Sequence, residues 1–203
     1  LASDQNPSYA MRCLGSDADG VADLLDDFVS GMREGGLSVT LKTFPGIGNV
    51  SADVTESIAE NTDSLMTIRD TNFVPYASGI QAGADCVMVS NAAYSKLTVK
   101  KVPAFMSQDI VTKLLREELG FDGIVMTSPL NDNVIENNYT NEFAVVEAVK
   151  AGCDLIVLPG NFKECYEALI TAVEEGRIDE KVINTSVRRI LQNKIQRGIL
   201  VLE

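Results

Sequence analysis

Histidine does not occur in this chain of 203 residues. No side chain therefore has an ordinary pKa close to neutrality, and proton transfer through an imidazole is excluded. Cysteine is sparse. Cys13, Cys86, Cys153 and Cys165 show no CxxC spacing, which suggests neither a zinc site nor a disulfide framework. Cys86 and Cys153 stand inside apolar runs, the setting of a small buried thiol. No metal or cofactor is expected. No apolar run is long enough to be read as a bilayer span, and no signal peptide is visible. The chain begins with Leu1 rather than Met, which reads as a processed or cut terminus and leaves the compartment open, cytoplasmic or exported. Positive charge is also in short supply: 17 Lys and Arg stand against 29 Asp and Glu, a net charge of -12. That balance argues against nucleic acid, whose phosphates need clustered cations, and against an anionic membrane surface.

Apolar residues make up 45% of the chain, enough for one large core and short for two, so residues 1–203 are read as a single domain. The stretch from Leu41 to Asp53 organises that reading. A strand over Leu37 to Lys42 runs into Phe44-Pro45-Gly46-Ile47-Gly48, where Pro45 fixes its own backbone and the glycines open conformations closed to other residues. A strand that stops in such a turn and opens into a polar loop is how an α/β protein builds the rim of a site, although a plain strand-to-loop turn has the same composition.

In chain order, residues 1–17 read as loop, with a turn at Asn6-Pro7. Val21, Leu24, Leu25, Phe28, Val29 and Met32 have the spacing of one helix face, closed by Gly35-Gly36. Residues 51–72 are polar with a weak helical pattern, and a helix over Val74 to Ala82 ends at Gly83. The next strand is Cys86 to Ser90. A helix around Ile110 to Leu115, with Ser107 as cap and Gly120 as stop, leads to a strand over Gly123 to Thr127. A helix over Glu142 to Lys150 leads to a strand over Leu155 to Leu158. Helices over 162–175 and 180–197, the second capped by Asp179, close the chain. One junction recurs: Ala82-Gly83-Ala84-Asp85 and Ala151-Gly152-Cys153-Asp154 each precede an apolar strand, and Leu119-Gly120-Phe121-Asp122 is a variant. Apolar strands alternating with amphipathic helices imply parallel β/α units. The count is half that of a closed (β/α)₈ barrel, so the residues alone leave half a barrel or an open parallel sheet.

The ordered pieces resemble glycoside hydrolase family 3, most nearly its β-N-acetylglucosaminidase branch. The family carries NPxxxxRxxGSD, KHFPGHGxxxxDSH, VMVSH, LLRxELGFxGxxxTD, AGxDLxLxP and RRIL in that order. Here these read Asn6-Pro7 with Arg12 and Gly15-Ser16-Asp17; Lys42 to Gly48; Val87 to Asn91; Leu114 to Gly123 and on to Thr127-Ser128; Ala151 to Pro159; and Arg188 to Leu191. The resemblance implies an α/β fold, strands five to eight of a TIM barrel, with the N-terminal half of the barrel expected upstream of Leu1. It also implies an N-acetylglucosamine-type carbohydrate ligand.

The departures bear on function. In the family this chain resembles, an Asp at the end of the seventh strand attacks the sugar and an Asp/His pair on a loop handles the proton. The nucleophile position is Ser128 here, a hydroxyl with no base beside it in sequence. The loop keeps Asp53, but Thr55 replaces its histidine, and the histidines expected at Thr43, Ile47 and Asn91 are gone. Arg12, Lys42, Thr43 and Asn91 match substrate-binding positions. For Lys42 the structural alternative is an ion pair at the barrel mouth, for Arg12 a surface charge, for Asp53 a solvated loop carboxylate, and for Ser128 a turn or cap. Asp132 and Glu136 lie just beyond and supply further carboxylates. Tyr76, Tyr94 and Tyr139 are weighed as sugar-stacking rings against plain burial. Arg69 is read as a framework residue, and Lys163 to Arg177 and Arg188-Arg189 as solvated helix faces. The expectation is a family 3-type domain, catalytically impaired, with carbohydrate binding retained. The alternatives are a retaining glycosidase with a relocated carboxylate pair, and a structural half-barrel that pairs with its missing half or with itself.

Overall fold

A computed structural model describes residues 1–50 and 52–201; Ser51, the first residue of the polar 51–72 stretch, lies outside the described residues, as do Leu202 and Glu203. The elements alternate. They are α1 (Pro7–Ala10), α2 (Ala18–Glu34), β1 (Thr40–Phe44), β2 (Glu60–Asn61), α3 (Leu65–Asp70), α4 (Phe73–Gln81), β3 (Cys86–Val89) and β4 (Ala93–Tyr94). A short 3₁₀ turn (Ala104–Met106) and a π-type helix (Asp109–Glu118) follow, then β5 (Ile124–Thr127), α5 (Asn133–Glu136), α6 (Asn141–Ala151), α7 (Phe162–Glu174) and α8 (Glu180–Gln196). The main sheet is parallel, in the order β1-β3-β5. The short strands β2 and β4 form a second parallel pair that the sequence pattern did not announce.

Register explains the burial. Leu41, Val87 and Val125 lie side by side and are sealed beneath the helices, as are the Phe44, Phe73 and Tyr76 rings packed at one end of β1. Lys42, Met88 and Met126 occupy the next position on the opposite face, where cover is thinner. A strand places successive side chains on alternate faces, so one cationic residue among apolar ones marks the face that is not core.

Several boundaries move for physical reasons. The first strand begins at Thr40, not Leu37, because the Val39 N–H is taken by the Asp85 carboxylate (2.9 Å), while Leu37 is exposed beyond Gly36. The expected strand Leu155 to Leu158 is reduced to a single bridge between Leu155 and Met126. Thr127 Oγ1 captures the Val157 N–H (3.1 Å), and Leu158 takes a left-handed backbone, so no ladder propagates. Ser107 does not cap the next helix through its side chain; its main-chain carbonyl accepts from Ile110 and Val111 instead. The segment 1–17 is not all loop, since α1 lies within it. The cap at Asp179 is as expected, with its carboxylate accepting from the Lys181 N–H (2.9 Å).

The repeated Ala-Gly-x-Asp junction has a shared architecture. Gly83 and Gly152 end their helices with positive φ, and the following acid opens the next strand segment. Asp85 accepts from Val39 N, Asn193 Nδ2 (2.9 Å) and Arg197 (2.6 and 3.0 Å), and also faces Arg33. Asp154 accepts from Val125 N (2.9 Å), Ser186 Oγ (2.7 Å) and Arg189 (3.1 Å), and pairs with Arg116. Helix α8 is thus bound to the starts of two strand segments by buried carboxylates. Arg189 is therefore not on a solvated face, a correction that periodicity could not supply. The variant at Leu119 to Asp122 supplies only the helix stop, for Asp122 is exposed.

Candidate functional site

The opposite ends of the strands carry the candidate site. At the end of β1, the backbone bends through Pro45 and Gly46. Gly46 has a φ of +120°, and a Cβ there would lie 2.3 Å from Asn72 Nδ2, so only glycine fits. Three side chains fix this loop: Asn72 donates to Pro45 O (3.0 Å), Tyr94 OH to Gly46 O (2.9 Å), and buried Asn6 to Ile47 O (3.1 Å). The Asn6 bond ties the N-terminal segment to the loop and so sets where Tyr9 and Arg12 stand.

Arg12, Lys42 and Thr43 line one cavity of about 340 Å³ together with Tyr9, Leu25 and Tyr76. That volume is at the lower end of the range of small-molecule sites. Arg12 lies over the Tyr9 ring, 5.3 Å from its centre, while Lys42 is exposed and makes no ion pair among the described residues. The ion pair weighed for Lys42 is therefore not formed.

A second group forms where the loop after β1 meets the loop after β5. Val134 N donates to Thr55 O (2.8 Å) and Asn133 Nδ2 to Glu56 (2.8 Å), which joins the two loops. Asp53 is exposed, and its carboxylate accepts from the Thr55 N–H (2.9 Å) and hydroxyl (2.7 Å). Those two bonds, the backbone one first, hold its pKa below the usual carboxylate value. Asp132 is half-buried and accepts from Asn91 Nδ2 (2.8 Å). Burial pushes its pKa up, the Asn91 bond opposes this, and the charges of Asp53 and Glu56 raise it further. Tyr9 connects the two groups: burial and the charges of Asp53 and Asp132 raise its phenol, against the nearby Arg12.

Ser128 is buried, and its hydroxyl donates to the Val89 carbonyl (2.9 Å). It joins the end of β5 to the end of β3 and touches no basic group among the described residues. Tyr94 is buried and Tyr139 stacks on Phe143, so these two rings fill space rather than present a face, whereas Tyr76, edge-on to Phe44, borders the cavity. Sequence reasoning passed over Tyr9 and Glu56. The one signal for Tyr9 was its place between Asn6 and Arg12 in the NPxxxxR segment; nothing local marked Glu56.

Side chains gathered at the carboxyl ends of parallel strands define an α/β protein of the kind that holds its ligands at that rim. The chain belongs to glycosyl hydrolase family 3: the model of that family's N-terminal domain matches residues 1–193. It is 28% identical over 204 residues to a β-N-acetylglucosaminidase/β-glucosidase of Cellulomonas fimi, covering 96% of this chain and 36% of that protein. It is 31% identical over 153 residues to a β-hexosaminidase of Xylella fastidiosa, covering 75% of this chain and 45% of that protein. Among solved structures, a family 3 β-N-acetylglucosaminidase from Paenibacillus superposes with a TM-score of 0.93 at 32% identity, over 99% of this chain and 40% of that one. The chain thus spans less than half the length of each of these three relatives.

Proposed function

We propose that this domain binds a β-N-acetylhexosaminide-type sugar at its strand-end rim but does not cleave it. The observation that carries this reading is the Ser128 hydroxyl, which spends its proton on the Val89 carbonyl, at the residue that motif resemblance matches to the family's nucleophile. An alcohol without a base attacks an anomeric carbon poorly. Asp53 survives at the proton-handling position, but its contacts are with Thr55, which does not titrate near neutral pH. The cavity lined by Arg12, Lys42 and Thr43 supports retention of a ligand site. Similarity to β-N-acetylglucosaminidases supports the sugar class.

Incubation with an aryl N-acetylglucosaminide is expected to release no more phenol than a blank. Turnover abolished in both Asp53→Asn and Asp132→Asn would overturn this reading and favour a relocated carboxylate pair, because the opposed pKa directions of those two groups suit an acid and a base. The domain is further proposed to be half of a (β/α)₈ barrel that pairs along β1 with a complementary half or a copy of itself. In support, β1 pairs with a strand on one side only among the described residues, and Leu24 and Phe28 of α2 are each 53% exposed.

A further inference from the structure

The Asn91 side chain is buried, with the residue 1% exposed. One end of its amide donates to Asp132; the other, Oδ1, has no hydrogen-bond partner among the described residues. A buried carbonyl without a donor is costly. The neighbourhood shares this bias. Asp132 offers a carboxylate with lone-pair sites to spare and one protein donor, Asn91. Asp53 is already served by Thr55, and Glu56 by Asn133. The uncommitted groups at Asn91 and Asp132 are therefore acceptors. A ligand completing them brings hydroxyl or amide N–H groups. A neutral hexosaminide has that chemistry.

We propose that Asp132, oriented by Asn91, is a sugar-hydroxyl ligand of this rim. It lies four residues past Ser128, on the loop that the Val134–Thr55 bond fixes against the Asp53 loop. This assignment rests on the sugar-binding reading above and adds to it the residue that receives the ligand's donors. The groups facing Asp132 are Asn91 from the end of β3, Asp53 and Glu56 from the loop after β1, and Tyr9, with Arg12 over its ring, from the N-terminal segment. All of the acids disfavour ionisation of Asp132.

The test is titration of the intact chain with N,N′-diacetylchitobiose by calorimetry, for the parent, Asp132→Asn and Asn91→Ala, across a pH series. Asp132→Asn keeps an oxygen able to accept from Asn91, so the fold is retained and only the charge is lost; a thermal melt checks this. Expected is a loss of affinity of about tenfold or more for Asp132→Asn, since bonds to charged groups are the stronger ones. Asn91→Ala is expected to lose affinity in the same direction. Parent affinity is expected to weaken as pH falls through the titration of Asp132, while that of Asp132→Asn stays flat. Equal affinity in the parent and both variants, with no difference in pH profile, would overturn the assignment and leave sugar binding standing. No binding by the parent at any pH would overturn both.

Discussion

Arg197 lies 112 residues beyond Asp85 in sequence, yet its guanidinium donates twice to one oxygen of that carboxylate, at 2.6 and 3.0 Å. The Asp85 side chain is 2% exposed and that of Arg197 10%. Removing one partner of such a pair leaves the other charge buried without compensation. Asp85→Ala is expected to cost about 3–5 kcal/mol in urea unfolding, and Arg197→Met considerably less, because the carboxylate keeps Asn193 and the Val39 N–H. Equal and small losses for the two variants would contradict this.

Ser128→Ala removes one hydrogen bond, while the Val89 carbonyl keeps its bond from the Ser128 main-chain N–H (2.9 Å). Stability is expected to fall by about 0.5–1.5 kcal/mol, with sugar affinity unchanged. Ser128→Asp restores the family's residue type at this position but points a carboxylate at a carbonyl. It is expected to destabilise by about 1–3 kcal/mol and to yield no turnover, since Thr55 supplies no proton. Measurable hydrolysis by Ser128→Asp would show that the missing carboxylate was the sole defect.

Asp132 makes stability depend on pH. Its folded pKa lies above the ordinary carboxyl value through burial and the charges of Asp53 and Glu56. Between the unfolded and folded values the native chain binds more protons, so this group's contribution to stability declines as pH rises through that interval. Asp132→Asn is therefore expected to melt higher than the parent above the interval, and to lose that advantage once pH drops below the unfolded value. A variant less stable than the parent at neutral pH would refute the sign.

Gly46→Ala places a methyl group against Asn72 and demands a backbone conformation that alanine resists. A loss of more than about 1 kcal/mol is expected, together with weakened sugar binding as the turn at Gly46, which lines the cavity, shifts. Double substitution with Asn72→Ala relieves the contact but not the φ strain, so it is expected to recover only part of the loss.

If β1 pairs with a second copy, light scattering of the isolated 203-residue chain is expected to give a mass above 21.9 kDa. Phe28→Lys is then expected to shift the population toward monomer. A monodisperse monomer at all concentrations would argue against self-pairing.

The parallel α/β character was legible because Val87 and Val125 sit in short apolar runs and Leu41 in an alternating one, with Gly83, Gly120 and Gly152 each taking the positive φ that stops a helix. The family could be read from the order of its motifs. The end of the sheet was not legible: nothing in Leu155 to Leu158 announces that a threonine hydroxyl will intercept the Val157 N–H. Nor does helix periodicity distinguish Arg189, bound to Asp154, from an arginine in water. At the rim, Arg12, Lys42 and Thr43 were named from sequence and line one cavity, while Asp53, Asn91 and Ser128 lie apart from it. The partnership of Asp132 with Asn91 spans 41 residues and depends on which loops meet, information that no local pattern holds.

The two buried acids sit at the starts of their strand segments, and the family's lost histidine positions sit at the far ends. What anchors helix α8 to the sheet therefore makes no use of the groups that chemistry would need. Such a division lets residues at one rim be exchanged while the other keeps the polypeptide assembled.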